Sequence, residues 1–280
     1  MRRLAILTYH PIHIAAADYA GNDLVALEHD LETIERMGLR VVSLDQAITA
    51  CSERELLADL GGPAVAITFD DGSVFDFIDH DHPTCGPQRS AATILSGAAA
   101  RLGCLSGARP LASTFVIASP DARAELDRKD YFGGGYWPDR WWREAASGDV
   151  LSVESHSWDH NHPSIARSVQ RDNVRGTFAN IGTWDEAEAE VAQSMLYIAR
   201  VTGVAPRFFA YPWGEPSEYL LRDYLPARGP ELGLKAAVSS APHASGFVDT
   251  GSDRWLVPRL VCGHDWKSPG ELESLLAPLD

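Results

Sequence analysis

Ala64-Val65-Ala66-Ile67-Thr68-Phe69-Asp70-Asp71-Gly72 is an apolar run that stops abruptly at two adjacent carboxylates and a glycine. Between Gly61-Gly62-Pro63 and Gly72, its Val, Ile and Phe content reads as a strand buried on both faces, of the kind found in parallel sheets under helices. The C-terminal ends of such strands are where α/β folds place their chemistry. Asp and Gly also tolerate turn dihedrals, so taken alone Asp70-Asp71-Gly72 has a second reading as a plain turn.

Outward from this strand the chain alternates strand-like and helix-like segments. Leu4 to Thr8 reads as a strand ending at Tyr9-His10. Asp23 to Met37 carries Leu24, Leu27, Leu31 and Ile34 at helical spacing and stops at Gly38. Leu39 to Leu44 is expected as a strand and Asp45 to Leu60 as a helical region. Beyond the central strand, helices are expected at Ser90 to Leu102, Arg140 to Ala146, Asp185 to Thr202 and near Tyr219 to Tyr224. Strands are expected at Leu111 to Ile117, Val150 to Val153, Arg207 to Tyr211, Ala236 to Ser239 and Trp255 to Val261. This repetition argues a parallel sheet, most simply a barrel or an incomplete barrel.

Composition narrows the function classes. The 280 residues are 45% hydrophobic and 22% charged, which suits a single barrel-sized domain spanning 1–280. With 39 acidic against 24 basic side chains the net charge is −15, which repels phosphate backbones and anionic membranes, so neither nucleic acid nor membrane is expected as a partner. Cys51, Cys85, Cys104 and Cys262 form no C-x-x-C pair and read as isolated thiols. No signal peptide or membrane-spanning run is visible, which makes a cytoplasmic location the expectation.

The second constellation is His156-Ser157-Trp158-Asp159-His160, beginning where the strand Val150 to Val153 ends. Imidazoles at i and i+4 fall on one face of a helical turn and can bind one ion together. Like Asp70-Asp71, the pair comes after a strand end, and parallel strands bring such ends to one rim. Two His and one carboxylate there leave coordination positions open, the layout of a catalytic metal site. A third stretch, Arg207-Phe208-Phe209-Ala210-Tyr211-Pro212-Trp213-Gly214, closes another apolar strand with a turn that aims a backbone N–H and an aromatic wall at the same rim.

Together these stretches resemble the polysaccharide deacetylase family, the NodB-homology carbohydrate esterases. Thr68-Phe69-Asp70-Asp71-Gly72 matches the family's Thr-Phe-Asp-Asp-Gly motif, and His156-Ser-Trp-Asp-His160 its His-Ser/Thr-x-x-His motif. Phe209 to Gly214 is similar to the Phe-Ala-Tyr-Pro-Tyr-Gly form of the third motif, with Trp213 in place of the last Tyr. Leu7-Thr8-Tyr9-His10 and Trp255 to Leu260 also resemble family segments. The resemblance implies an incomplete (β/α)7-type barrel and metal-dependent removal of acetyl groups from an N-acetylated carbohydrate. It implies Asp71, His156 and His160 as ligands of a divalent metal, Zn2+ foremost, Asp70 as general base, and the backbone N–H of Trp213 as oxyanion donor. Tyr211, Pro212 and Trp137 are the expected substrate contacts.

Two departures from the family pattern leave roles to fill. The Arg that many members place two residues before the Pro of the third motif is Ala210 here. Arg259, the only charge in Leu256-Val257-Pro258-Arg259-Leu260-Val261, is the expected substitute, with Arg207 as its rival. The late Leu-x-His that supplies the general acid has no copy, and His264 is the nearest candidate. Tyr131, Phe132, Tyr136, Trp137, Trp141 and Trp142 are candidate sugar-stacking residues, with Trp141 and Trp142 expected in the core. His80 and His82 lie in a polar loop and are expected in solvent or facing substrate. Hydrolysis of a non-sugar amide, or metal or glycan binding with little turnover, remain the alternative functions.

Overall fold

The computed structural model describes residues 3–52, 60, 62–102, 110–166, 175–244 and 246–279. Its first strand, β1, is Leu4–Tyr9. The helix Asp23–Arg36 comes next, capped by the Asn22 side chain, which accepts from the amides of Leu24 and Val25, satisfying donors that a helix start leaves open. The strand expected at Leu39 to Leu44 shortens to β2, Arg40–Val41, because Leu44 already begins the helix Leu44–Ser52. The rest of the helical expectation to Leu60 lies largely outside the described residues. The central strand is β3, Ala64–Phe69.

Next comes a hairpin, β4 (His80–His82) and β5 (Gly86–Gln88), then the helix Ala91–Ala98 capped by Ser90. Later strands are β6 (Ala112–Val116), β7 (Leu151–Ser155), β8 (Phe208–Ala210), β9 (Ala236–Ser239), β10 (Val257–Pro258) and β11 (Leu260–Val261). The sheet runs β10-β9-β8-β7-β6-β3-β1-β11, with β2 beside the start of β3. All its pairs are parallel. Since β10 pairs with β9 and β11 pairs with β1, the two edges of the sheet meet across one residue, Arg259, and the fold is a nearly closed parallel barrel.

Alternation divides each strand between two cores. Ala64 and Ala66 of β3 join Leu4, Ile6, Phe115, Phe208, Val238 and Val257 in the interior cluster. Val65, Ile67 and Phe69 point the other way, into a cluster with Leu24, Leu27, Leu31 and Ile34 of the first helix. Small side chains at the inward positions of β3 leave room in the barrel, and the same parity carries Thr68 and Asp70 inward. Trp141 and Trp142 are fully buried, as expected. Among the described residues no helix is long and apolar enough to cross a membrane.

The turn after β3 is anchored from beneath by Asp76, a fully buried carboxyl that accepts from the Ser73 and Thr114 hydroxyls. Burial pushes its pKa up to about 7 despite these donors. A carboxyl raised in the folded state binds its proton more tightly than the unfolded chain does between about pH 4 and pH 7. Its contribution to stability is therefore full below pH 4 and is lost as pH rises through 7. Asp76→Asn, which keeps an acceptor oxygen for one hydroxyl and turns an amide N–H to the oxygen of the other, is expected to flatten the fall in stability between pH 5 and pH 7. Urea unfolding at the two pH values measures this, with a slope reduced by up to about 1.4 kcal/mol per pH unit.

Candidate active site

The strand ends β1, β3, β7 and β8 open onto a cavity of about 320 Å³. Asp70, Asp71, His156, His160, Trp137, Trp213 and His264 all line it. At its floor Asp70 Oδ1 and Oδ2 accept from Arg259 Nη1 and Nη2, both at 2.7 Å, a bidentate pair that fixes the carboxylate plane. Arg259 is fully buried, touches Thr68 Oγ1 at 3.4 Å and lies over the Phe115 ring at 5.3 Å. Burial alone would raise the Asp70 carboxyl; the guanidinium, with His156 beside it, outweighs burial and holds it well below the usual carboxylate range. The rival Arg207 instead reaches Asp45, 3.2 Å away.

Asp71 sits one residue on, in a left-handed conformation with φ 74°, next to Gly72 at φ 71°. This kink, uncommon for a non-glycine residue, lets two consecutive carboxylates serve one cavity where strand alternation would separate them. A Cβ on Gly72 would lie 2.5 Å from Val116 Cγ1, so only glycine fits beneath the turn.

Asp71 Oδ1 lies 3.7 Å from His156 Nε2 and 3.8 Å from His160 Nε2. The helical turn expected for the His pair is corrected by the structure. Ser157, His160 and Asn161 have φ of 68°, 63° and 45°, and the His160 amide donates to Ser157 Oγ at 2.9 Å. This tight irregular turn nevertheless brings the imidazole centroids within 4.8 Å. His156 Nδ1 donates to the Ala210 carbonyl at 2.9 Å, which turns Nε2 toward Asp71. Burial, with His156 nearby, pushes His160 well below the usual imidazole range. One carboxylate oxygen and two imidazole nitrogens, all within 4.8 Å of one another, form the donor set a divalent ion requires.

Other expected contacts fall differently. Tyr211 is fully buried and its hydroxyl donates to the Trp255 carbonyl, and neither it nor Pro212 lines the cavity. The strand parity of β8 turns the Tyr211 ring toward the helix-side core, against Phe209. Trp213 has φ 60° and stacks on His162 with centroids 5.6 Å apart, its ring 40% exposed at the rim. A Cβ on Gly214 would collide with Ser240 Oγ, so the backbone of this turn packs directly on the strand end after β9. His80 and His82 pack against Phe75 and Tyr136, apart from the Asp71 cluster. Phe132 projects at the tip of the loop whose Tyr131 lines the cavity.

His10, His162 and Ser240 also line the cavity and were not singled out from the sequence. His10 lies just past the end of β1, which pairs with β3 over its whole length, so the strand-end rule applied to Tyr9-His10 would have found it. His162 lies two residues past His160, within reach of the same spacing argument. Ser240 carries no signal of its own.

Residues 58–227 match the family model described as Polysaccharide deacetylase. No curated protein matches the sequence. Among solved structures, the Streptococcus pyogenes deacetylase PplD in complex with acetate is 18% identical, with a TM-score of 0.62 and 98% of each chain covered. IcaB from Ammonifex degensii is 17% identical, with a TM-score of 0.64 over 99% of this chain and 97% of that one. A de-N-acetylase from Aggregatibacter actinomycetemcomitans is 17% identical, with a TM-score of 0.57 over 92% and 94%. At such identities the likeness is one of fold.

The donor geometry makes a direct forecast. The purified chain is expected to bind one divalent ion, and His160→Ala, which removes one of the three candidate donors, should lose most of the affinity. Elemental analysis after dialysis is the measurement; metal undiminished in the variant would remove His160 from the ligand set.

Proposed function

Because the chain belongs to the polysaccharide deacetylase family, we propose that it is a metal-dependent hydrolase removing acetyl groups from N-acetylated sugar residues of a glycan. The observation that carries this reading is an ionised carboxylate, Asp70, clamped by Arg259 next to the Asp71, His156 and His160 donor set in one cavity. Asp71, His156 and His160 would hold the ion, Zn2+ foremost, and when bound it acts as a Lewis acid toward the acyl carbonyl.

The chain's own residues supply the remaining steps. Asp70, kept ionised and in a fixed plane, takes the proton from the attacking water; its pairing with Arg259 leaves lone pairs free, since a carboxylate can accept at about four sites. The backbone N–H of Trp213, at the turn that closes β8, donates to the oxyanion as the carbonyl becomes tetrahedral. His264 returns a proton to the departing amine. Its side chain is 65% exposed and its Nδ1 is 3.1 Å from Asp265 Oδ1, which holds the ring at the cavity rim. His10 is the other rim imidazole outside the ligand set and His162.

Acetate release from N-acetylated chito-oligomers by Zn2+-reconstituted protein tests the reading. Activity is expected to vanish on chelation and return with Zn2+. Asp70→Asn should keep its metal while losing at least about 100-fold in kcat, the magnitude typical of a lost general base. His264→Ala should slow turnover more than His10→Ala, and the reverse order would move the proton-donor role to His10. Turnover of small amides with none of any acetylated glycan would replace the substrate assignment.

A further inference from the structure

Behind the turn that carries both imidazoles lies the helical stretch from Trp184 to Thr202, and it is not a continuous α-helix. Trp184–Ala187 and Gln193–Thr202 are α-helical, but Glu188–Ala192 is a π-turn. One extra residue inside a helix rotates the segment before it by about 100° relative to the segment after it, and such bulges concentrate at functional sites. Glu190 lies inside this bulge and is completely buried, a costly place for a carboxyl.

Its Oε2 accepts the backbone N–H of Trp158 at 3.2 Å and of Asp159 at 3.4 Å, two of the three residues between His156 and His160. One helical turn further, Ser194 Oγ is 2.6 Å from Ser155 Oγ, the residue before His156. After another turn, the Tyr197 ring stands edge-on to Trp158 with centroids 5.8 Å apart. Residues 190, 194 and 197 have the spacing of one helix face, and all three meet the segment Ser155 to Asp159. The adjoining face, with Ala187, Val191 and Met195, is committed to the helix-side core.

The turn needs such a brace. Its left-handed residues Ser157, His160 and Asn161 each hold a conformation costing about 1–3 kcal/mol, which persists only where the surroundings over-determine it. Bonds within the turn, His160 N to Ser157 Oγ and Asn161 N to Asp159 Oδ1 at 2.8 Å, are local and would move with it. Glu190 reaches in from a separate element.

We propose that Glu190 is a positioning residue for the metal centre: its carboxyl holds the turn on which both imidazole ligands are mounted, and the π-turn brings it there. The inference rests on the preceding assignment of His156 and His160 as ligands. Without the carboxyl, the amides of Trp158 and Asp159 lose their acceptor and the two imidazoles lose their fixed separation, which weakens coordination without removing a ligand. Loss of such an outer partner typically costs 10- to 100-fold in metal affinity.

The test is titration of the full-length metal-free chain with Co2+, monitored by its visible absorption, for wild type, Glu190→Ala, Glu190→Asp and Glu190→Gln, with folding checked by far-UV circular dichroism. Glu190→Ala and Glu190→Asp, whose carboxyl is one methylene too short, are expected to bind about 10- to 100-fold more weakly and with an altered spectrum. Glu190→Gln keeps an acceptor oxygen at the same reach and is expected within about threefold of wild type. A folded Ala or Asp variant with wild-type affinity and spectrum overturns the proposal, as does a Gln variant as impaired as Ala. Should the Ala variant fail to fold, the Asp and Gln pair decides. A wild type that takes up no Co2+ overturns the ligand assignment itself, and is thereby told apart from failure at Glu190.

Discussion

The pair between Arg259 and Asp70 is the constraint on which the rest of this structure hangs. Arg259 is the single residue between β10 and β11, so it stands where the two edges of the sheet meet. Its amide donates to the Ser239 carbonyl on the β9 side, while its guanidinium crosses the barrel to the end of β3. A buried charge left alone is strongly unfavourable, whereas a bidentate partner with further donors in place offsets that cost. Closure of the barrel and aim of the carboxylate are thus one event. The same pair explains why a chain with Ala210 at the place of the family's usual Arg can still hold an ionised Asp70.

Around that pair, backbone strain gathers at the mouth of the barrel. Asp71, His160 and Trp213, which line the cavity, and Ser157, in the turn that carries His156 and His160, all have positive φ. Each is held from a separate direction. Asp76 fixes Ser73 just after the Asp71 kink. Glu190 takes the amides of the His turn, and Ser239 Oγ donates to the Gly214 carbonyl after Trp213. Burial raises the pKa of Asp76, and burial together with the neighbouring Asp159 carboxylate raises that of Glu190. Supporting carboxyls raised in this way contrast with Asp70, which Arg259 holds ionised, so the same residue type braces in one place and accepts a proton in another.

Local periodicity accounts for the parts of the structure that were legible in the sequence. The barrel class, the order of strands and helix limits at Asp23, Gly38 and Thr202 rest on alternation, spacing and caps, all properties of a few neighbouring residues. The three stretches that end at the rim were legible because strand ends in a parallel sheet converge. The inward direction of Arg259 was open between interior and solvent, and barrel closure settles it. Features that depend on distant partners were not legible. A helical turn was expected at His156 to His160, but hydrogen bonds to Ser157 and Glu190 stabilise a left-handed path that residue spacing does not encode. The hairpin of His80–His82 with Gly86–Gln88 has the composition of a loop, and Tyr211 reads as a rim aromatic although its strand parity buries it.

A double-mutant cycle on Asp70 and Arg259, read as free energies of unfolding in urea, tests most directly whether one buried pair both closes the barrel and holds the base. Arg259→Met and Asp70→Asn each strip a partner from a buried charge and should cost about 3–5 kcal/mol. The double variant leaves no buried charge at that place and should lose less than the sum of the two, with a coupling of at least about 2 kcal/mol. Additivity within about 0.5 kcal/mol would contradict the account, because two residues that stabilise the barrel independently cannot be the interaction that joins its edges to its base.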